Sequence, residues 1–375
     1  MFEGVQKKLG FGFMRLPRKK GEIDYEELNR MVDAFIEGGF NYFDTAHGYE
    51  GTKSEIAIRE CVAKRYPREK FILANKLSEN YFKTEADVRP FFESQLKACG
   101  VDYFDFYLMH AQSRGNLPQY KRCRAYEQAF ELKAEGKVRH VGLSFHDTAD
   151  VLDQILTTYP QVEFVQIQFN YLDYDDPAVQ SRKCLEVCRK HGKPVIVMEP
   201  VKGGNLVNLP EAAKGYFAAL GKSSAASYAI RFAAGQEGVF MVLSGMSSLS
   251  QLKDNISYMK DFTPLGEKEM QAVASVCAVF KNMHVIPCTA CRYCVDGCPQ
   301  KIAIPDLFAC LNTKNIHNYW NADYYYTVHT EKGGKASSCI GCGKCEKICP
   351  QHLTIRDLLK SVAKEFEKPH ENFAD

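Results

Sequence analysis

Between about residues 9 and 260 the chain alternates eight short apolar runs with stretches of helical patterning. The runs are 10–14, 40–44, 71–75, 104–109, 138–142, 164–169, 195–198 and 239–243. They are rich in β-branched and aromatic residues, as parallel strands buried on both faces must be. Between the first two, Leu28, Met31, Val32, Phe35 and Ile36 recur at helical spacing until Gly38-Gly39 stops the pattern. Further helices are expected over 54–64, 84–99, 118–135, 147–157, 177–191, 223–234 and 249–259. Eight strand–helix units in about 250 residues predict an α/β fold, a (β/α)8 TIM barrel. A doubly wound sheet would want a glycine-rich phosphate loop after its first strand, and Gly10-Phe11-Gly12 does not continue into one.

A barrel of this kind gathers its working residues at the C-terminal ends of its strands. Asp44, Lys76, His110 and Ser144 each follow a different strand, and Tyr49 lies in the loop after Asp44. Singly, each has a plain reading: a helix cap, a solvated lysine, a capping histidine, a loop aromatic. Together on one rim they suit proton delivery. An ammonium at Lys76 held by Asp44 would stabilise a phenolate and draw the Tyr49 pKa down from its usual ~10. Tyr49 becomes a general acid and His110 orients a carbonyl. The catalytic set is therefore expected to be Tyr49, Asp44, Lys76 and His110. It answers an oxyanion formed by hydride attack, which implies a nicotinamide cofactor across the barrel mouth. His47, between Asp44 and Tyr49, has no evident partner.

Fifteen cysteines are distributed unevenly. Cys61, Cys99, Cys123, Cys184, Cys188, Cys277 and Cys310 are scattered and read as small core or surface residues. The other eight form two runs, Cys288-x2-Cys291-x2-Cys294-x3-Cys298-Pro299 and Cys339-x2-Cys342-x2-Cys345-x3-Cys349-Pro350. In such runs three cysteines wrap one iron–sulfur cubane and the fourth ligates the other. The expected sets are Cys288, Cys291, Cys294 and Cys349 on one [4Fe–4S] cluster, and Cys339, Cys342, Cys345 and Cys298 on the other. Zinc motifs, the competing reading, rarely repeat a four-cysteine–proline run. The domains are expected at 1–280 for the barrel and 281–375 for a smaller, mainly helical iron–sulfur domain. A net charge of +2 gives no field for nucleic acid or an anionic membrane. No apolar run reaches membrane length and the N-terminus lacks a signal-peptide core, so a cytoplasmic protein is expected.

Over residues 9–260 the chain resembles the aldo/keto reductase family. The resemblance rests on Gly10-Phe11-Gly12, Asp44-Thr45-Ala46 with Tyr49, Lys76, His110, and Gly142-Leu143-Ser144. It implies reduction of a small aldehyde or ketone by NADPH or NADH, with Tyr49 as proton donor. It also implies that Gly12 and Asp44 border the cofactor, that Ser144 and Gln166 hold the carboxamide, and that Ser244, Gly245, Asp254 and Asn255 serve its far end. The sequence departs from the family in three places. Phe145 stands where an Asn often follows the serine. Met198 replaces the aromatic that stacks on nicotinamide. Gly245 and Gln251 replace the cations that grip the NADP phosphate. Asn170 reads equally as a site residue or a strand-end cap.

The tail, over about 280–360, is similar to bacterial two-cluster ferredoxins, with a long insertion containing Tyr319-Trp320 and Tyr324-Tyr325-Tyr326 that is expected to pack. Hydride moves two electrons and a cluster one, a mismatch that a flavin often bridges, but no flavin motif is visible. The clusters are structural, serve a redox partner protein, or meet a flavin. The competing class is a cofactor-sensing or electron-transfer module with slow turnover. A tail starting where the family places its substrate loop is also expected to help shape the pocket.

Overall fold

The computed structural model describes residues 2–176, 179–221, 223–283, 285–317, 321–331 and 333–367. The chain divides into two compact units. One comprises 1–201 and 222–269, the other 202–221 and 270–375. Residues 202–221 and 270–280 group with the cysteine-bearing unit.

The first unit is a closed parallel barrel. Its strands are β1 (Leu9–Gly12), β2 (Tyr42–Asp44), β3 (Ile72–Leu77), β4 (Phe104–Gln112), β5 (Val138–Phe145), β6 (Phe164–Gln168), β7 (Val195–Met198) and β8 (Val239–Ser244). Each pairs with its sequence neighbours, and β8 closes on β1. A two-stranded hairpin, Arg18–Lys19 with Glu22–Ile23, lies outside the barrel. Asp24 caps the first helix by accepting from the Glu27 N–H, and Ser248 caps the last by accepting from Gln251. The helix expected over 118–135 is two, Leu117–Arg122 and Ala125–Ala134, because Arg124 turns left-handed at φ 46°. The one expected over 177–191 is Ser181–Lys190, entered from left-handed Gln180, while Pro177 lies outside the described residues.

Strand side chains alternate between the two faces of a barrel. The inward core at the lower end is Tyr42, Ile72, Ala74, Phe106, Leu108, Phe164, Ile196, Met241 and Leu243, with Phe2 packed against it. The Phe2 ring meets Phe106 at 5.1 Å, His140 at 4.5 Å and Phe240 at 4.9 Å between centroids. Continuing each strand two residues at a time from this core reaches Asp44, Lys76, His110, Gln166 and Met198. The polar rim thus has the same inward parity as the core. Gly142 is where that parity requires no side chain: a Cβ there would lie 2.4 Å from the Phe164 ring.

The second unit is helical, with Ile302, Ile304, Leu307, Phe308, Ile355, Leu359 and Val362 in one core beside Cys294 and Cys345. It contains an internal repeat that the cysteine spacing only hints at. Residues 298–307, CPQKIAIPDL, correspond to 349–358, CPQHLTIRDL. Backbone bonds recur in register. Lys301 N–H donates to Cys298 O as His352 does to Cys349, and Ile304 to Ile302 as Ile355 to Leu353. Left-handed residues recur too: Ala290 and Arg292 in the first cysteine run, Gly341 and Gly343 in the second. In the insertion, Tyr326 is buried and stacks on Phe366, as expected of a packing residue, whereas Tyr325 is exposed. Tyr319 and Trp320 lie outside the described residues, as does the side chain of Tyr324.

Candidate active site and cysteine centres

At the rim of the barrel the Lys76 ammonium is fully enclosed. It donates to Asp44 Oδ1 at 2.7 Å and to the Thr45 carbonyl at 2.8 Å. Asp44 Oδ2 has no hydrogen-bond partner among the described residues. Lys76 Nζ lies 4.7 Å from the centre of the Tyr49 ring, and that ring meets His110 edge to face at 5.9 Å. The four residues are thus brought together. Lys76 and His110 belong to β3 and β4 themselves, since those strands run two and three residues further than their apolar runs.

Burial pulls the Lys76 ammonium down and pushes the Asp44 carboxyl up, and the attraction of each for the other resists both shifts. Tyr49 departs from expectation. Its phenol is held well above the ordinary value, by burial and then by the negative charges of Asp44 and Glu199. The ammonium does not reverse this, because its charge is already matched by Asp44. Burial, with Lys76 and His146 nearby, keeps His110 well below the usual imidazole range, so it is neutral. Its Nδ1 is 2.6 Å from Ser78 Oγ. With that hydroxyl donating, the ring proton sits on Nε2.

The Tyr49 loop is shaped by three successive left-handed residues, Glu50, Gly51 and Thr52. Two of them are not glycine, a backbone cost tolerated mostly where surroundings over-determine it. Here Thr45 Oγ1 and Ser54 Oγ are 2.7 Å apart, Ser54 donates to the Phe13 carbonyl, and Glu50 accepts from the Leu16 N–H and from Arg18. His47 does have a partner: its Nδ1 is 2.7 Å from Glu55 Oε2. Glu55 is buried and accepts through Oε1 from Asn75 and Gln95. His47 therefore fastens the loop beneath Tyr49.

The remaining expected cofactor residues fall into two groups. Ser144 and Gln166 are register partners on β5 and β6. Ser144 Oγ accepts from the Ala111 N–H at 2.7 Å, leaving its proton to donate. Gln166 Oε1 is buried with no partner among the described residues, and its amide is 3.4 Å from Met198 Sδ. One donor and one acceptor side by side match a carboxamide. At the other side Gly12 borders the Ser244 carbonyl, and Asn255 donates to Ser244 Oγ at 2.7 Å. Asp254 is occupied by Ser224 Oγ and Gln251 by the Ser247 N–H. The Arg15 stem packs against Gly245. Asn170 bonds Asp173 and the Glu199 carbonyl, as a strand-end cap does. Phe145 is buried. Sequence reasoning missed Ser78, Arg15 and Glu199. The left-handed φ of 56° at Glu199 is not readable from residue type.

In the second unit the fourth cysteine of each run sits with the other run. Burial and then Cys291, Cys288 and Cys349 push the Cys294 thiol up. Cys298, Cys339, Cys342 and Cys345 line one cavity together with Ile302, Ile304 and Leu359. Among the described residues no three His, Cys, Asp or Glu converge as for a single metal ion. The second set lines the walls of a void, as ligands of a multi-iron cluster would. The Ala290 N–H donates to Cys288 Sγ at 3.4 Å. The scattered Cys184 and Cys188 are buried, and burial raises the Cys184 thiol to about 12.

An eight-stranded parallel barrel whose rim carries an enclosed Lys–Asp pair, a tyrosine and a neutral histidine defines an α/β-barrel oxidoreductase. The chain belongs to the aldo/keto reductase family, whose model matches residues 8–278. A second model, a 4Fe-4S dicluster domain, matches residues 287–354. Among curated relatives, the NADH-specific methylglyoxal reductase of Escherichia coli is 28% identical over 212 residues, 51% of this chain and 61% of that protein. The L-galactose dehydrogenase of Arabidopsis thaliana is 24% identical over 296 residues, 73% of this chain and 92% of that one. An aldo-keto reductase from Bacillus halodurans in its holo form aligns with TM-score 0.57 and 24% identity, over 72% of this chain and 92% of its own. One from Klebsiella pneumoniae, solved in complex with NADP and acetate, aligns with TM-score 0.57 and 20% identity, over 71% and 89%. No helix among the described residues is long and apolar enough to cross a membrane.

Proposed function

We propose that the protein reduces a small aldehyde or ketone with NADH or NADPH and that Tyr49 delivers the proton. The carrying observation is the enclosed Lys76–Asp44 pair beside the Tyr49 ring, with His110 at its edge. A bound reduced nicotinamide supplies the hydride; Gln166 Oε1 and the Ser144 hydroxyl would hold its carboxamide. His110, neutral and protonated on Nε2, donates to the carbonyl oxygen and orients it. As that oxygen gains the electron pair of the former π bond, it takes the Tyr49 proton. A phenol held above its usual pKa is fully loaded at neutral pH, so the donor is always charged with its proton. The ammonium 4.7 Å from the ring centre then stabilises the phenolate left behind.

The eight motif cysteines would hold two [4Fe–4S] clusters, which exchange single electrons. Cys288, Cys291, Cys294 and Cys349 form one set and Cys298, Cys339, Cys342 and Cys345 the other. They give the protein a one-electron outlet toward a redox partner. The test is anaerobic reconstitution of the full chain, then assay of iron, labile sulfide and flavin, and of NADH and NADPH oxidation against a panel of carbonyls. Stoichiometric alcohol formation supports the reading. Absence of turnover with every carbonyl and both cofactors overturns it.

A further inference from the structure

The internal repeat of the second unit provides its own control. Equivalent faces of the two cysteine runs should look alike, and they do not. Thr289, after the first cysteine of the first run, is 1% exposed, whereas Ile340, its counterpart, is 62% exposed. The first run is covered from within the unit by the segment that opens with Lys202. Asn205 donates to the Cys288 carbonyl at 3.0 Å. Gly203, left-handed at φ 64°, lies so close that a Cβ would be 2.4 Å from the Thr289 carbonyl. Lys202 donates to Gln351, two residues past Cys349.

The second run has an open face. Ile348, on the helix that follows Cys342, is 44% exposed. Lys344 lines one cavity with Ile340 and Cys342, Gln300 and Ile302 on either side of Lys301 line it too, and Lys347 and Ile348 share the Lys344 side of the helix Lys344–Ile348. The three lysines are exposed and none is in an ion pair among the described residues. Glu346, the acidic residue of that stretch, is bonded to Arg356, so its charge is matched. In the first run the counterpart of Lys347 is Asp296. Apolar side chains at the centre of a patch with unmatched cations at its edge form a protein-binding surface.

We propose that this face, formed by Ile340, Cys342, Ile348, Lys301, Lys344 and Lys347, docks a small acidic electron-carrier protein. The charge asymmetry between the two runs selects the occupant. Three lysines without carboxylates call for a partner with carboxylates around its redox centre. The apolar centre over a cysteine cluster suits the small, transient contacts typical of electron transfer. The exchange makes and breaks no bond: the carrier is oxidised by one electron as the cluster held by Cys298, Cys339, Cys342 and Cys345 is reduced by one, or the reverse. This rests on the proposed iron–sulfur outlet and is independent of the carbonyl chemistry at Tyr49.

The test uses the anaerobically reconstituted full chain and an acidic ferredoxin as probe, by titration calorimetry. Lys344→Glu/Lys347→Glu should weaken binding at least ~10-fold at about 20 mM salt, and the difference should shrink at about 300 mM as the charges are screened. Ile340→Ser should weaken binding at both salt concentrations. Lys281→Glu, the same reversal elsewhere on the unit, should change nothing, and iron and sulfide content should match wild type in every variant. Equal affinity of wild type and the double variant overturns the proposal. So does equal binding of a basic cytochrome, binding of anionic vesicles through the same lysines, or dimerisation of the chain through this face. Failure here with carbonyl reduction intact leaves the Tyr49 reading standing.

Discussion

Replacing Lys76 by Met removes one half of the enclosed pair and leaves the other. At 2.7 Å, in an effective dielectric of about 20, the gross attraction between Lys76 and Asp44 is about 6 kcal/mol. Desolvation of both groups offsets most of it, but Lys76→Met would strand a buried carboxylate and the Thr45 carbonyl, at a cost of about 3–5 kcal/mol. With a slope of about 3 kcal/mol/M, the urea midpoint of the barrel transition, followed by far-UV circular dichroism, should fall by about 1–1.7 M. Lys76→Met combined with Asp44→Leu removes both charges and should be less destabilised than the sum of the single variants by more than about 1 kcal/mol. The turnover number for a carbonyl should drop by roughly 10²–10³ in the single variant, because phenolate at Tyr49 loses its cation. A midpoint unchanged in Lys76→Met, or strict additivity in the double variant, would refute the reasoning.

Three further outcomes follow from other contacts. Burial alone would raise the Glu163 carboxyl, but hydrogen bonds from His140, Lys133 and the Val141 N–H bring it to about 2. Its contribution, held to no more than about 2–3 kcal/mol by solvent screening at this half-buried site, is therefore present above pH ~4.5 and lost as pH falls toward 2; Glu163→Gln should flatten this acid limb of the stability profile, and an unchanged limb counts against the assignment. Gly142→Ala puts a Cβ against the Phe164 ring and should cost about 1–3 kcal/mol, part of it recovered with Phe164→Leu; no loss in thermal midpoint would show that the ring moves freely. Cys349→Ala and Cys298→Ala should each perturb a different cluster by electron paramagnetic resonance, Cys349→Ala the one wrapped by the first run; the opposite pattern would mean that each run binds its own cluster.

Much of the barrel was legible because buried parallel strands and amphipathic helices each have a period, and because Asp44, Lys76 and His110 share inward parity with the apolar core. The spacing also led to the expectation that Cys349 groups with the first run and Cys298 with the second, since one short loop reaches only three corners of a cubane. The break at Arg124 was not, because a left-handed residue leaves no mark in an otherwise helical pattern. Nor was the Tyr49 environment. The sequence places a lysine near the phenol but does not say that Asp44 already matches its charge, or that Glu199, on a left-handed turn after β7, adds a second negative group. The role of His47 is hidden in the sequence because its partner, Glu55, reads as an ordinary first-turn helix residue. The internal repeat after Cys298 and Cys349 was present in the letters, yet only the backbone bonds show that it is structural.

The central claim is that the Tyr49 hydroxyl supplies the proton. Tyr49→Phe removes that oxygen and keeps the ring that packs against His110 and Lys76. Under anaerobic conditions, with a carbonyl substrate of the wild-type protein, single-turnover oxidation of bound NADH or NADPH should fall by at least ~10²-fold, as expected for loss of a positioned general acid. Cofactor affinity, read by fluorescence titration, should stay within about twofold of wild type. Wild-type turnover in Tyr49→Phe would contradict the account.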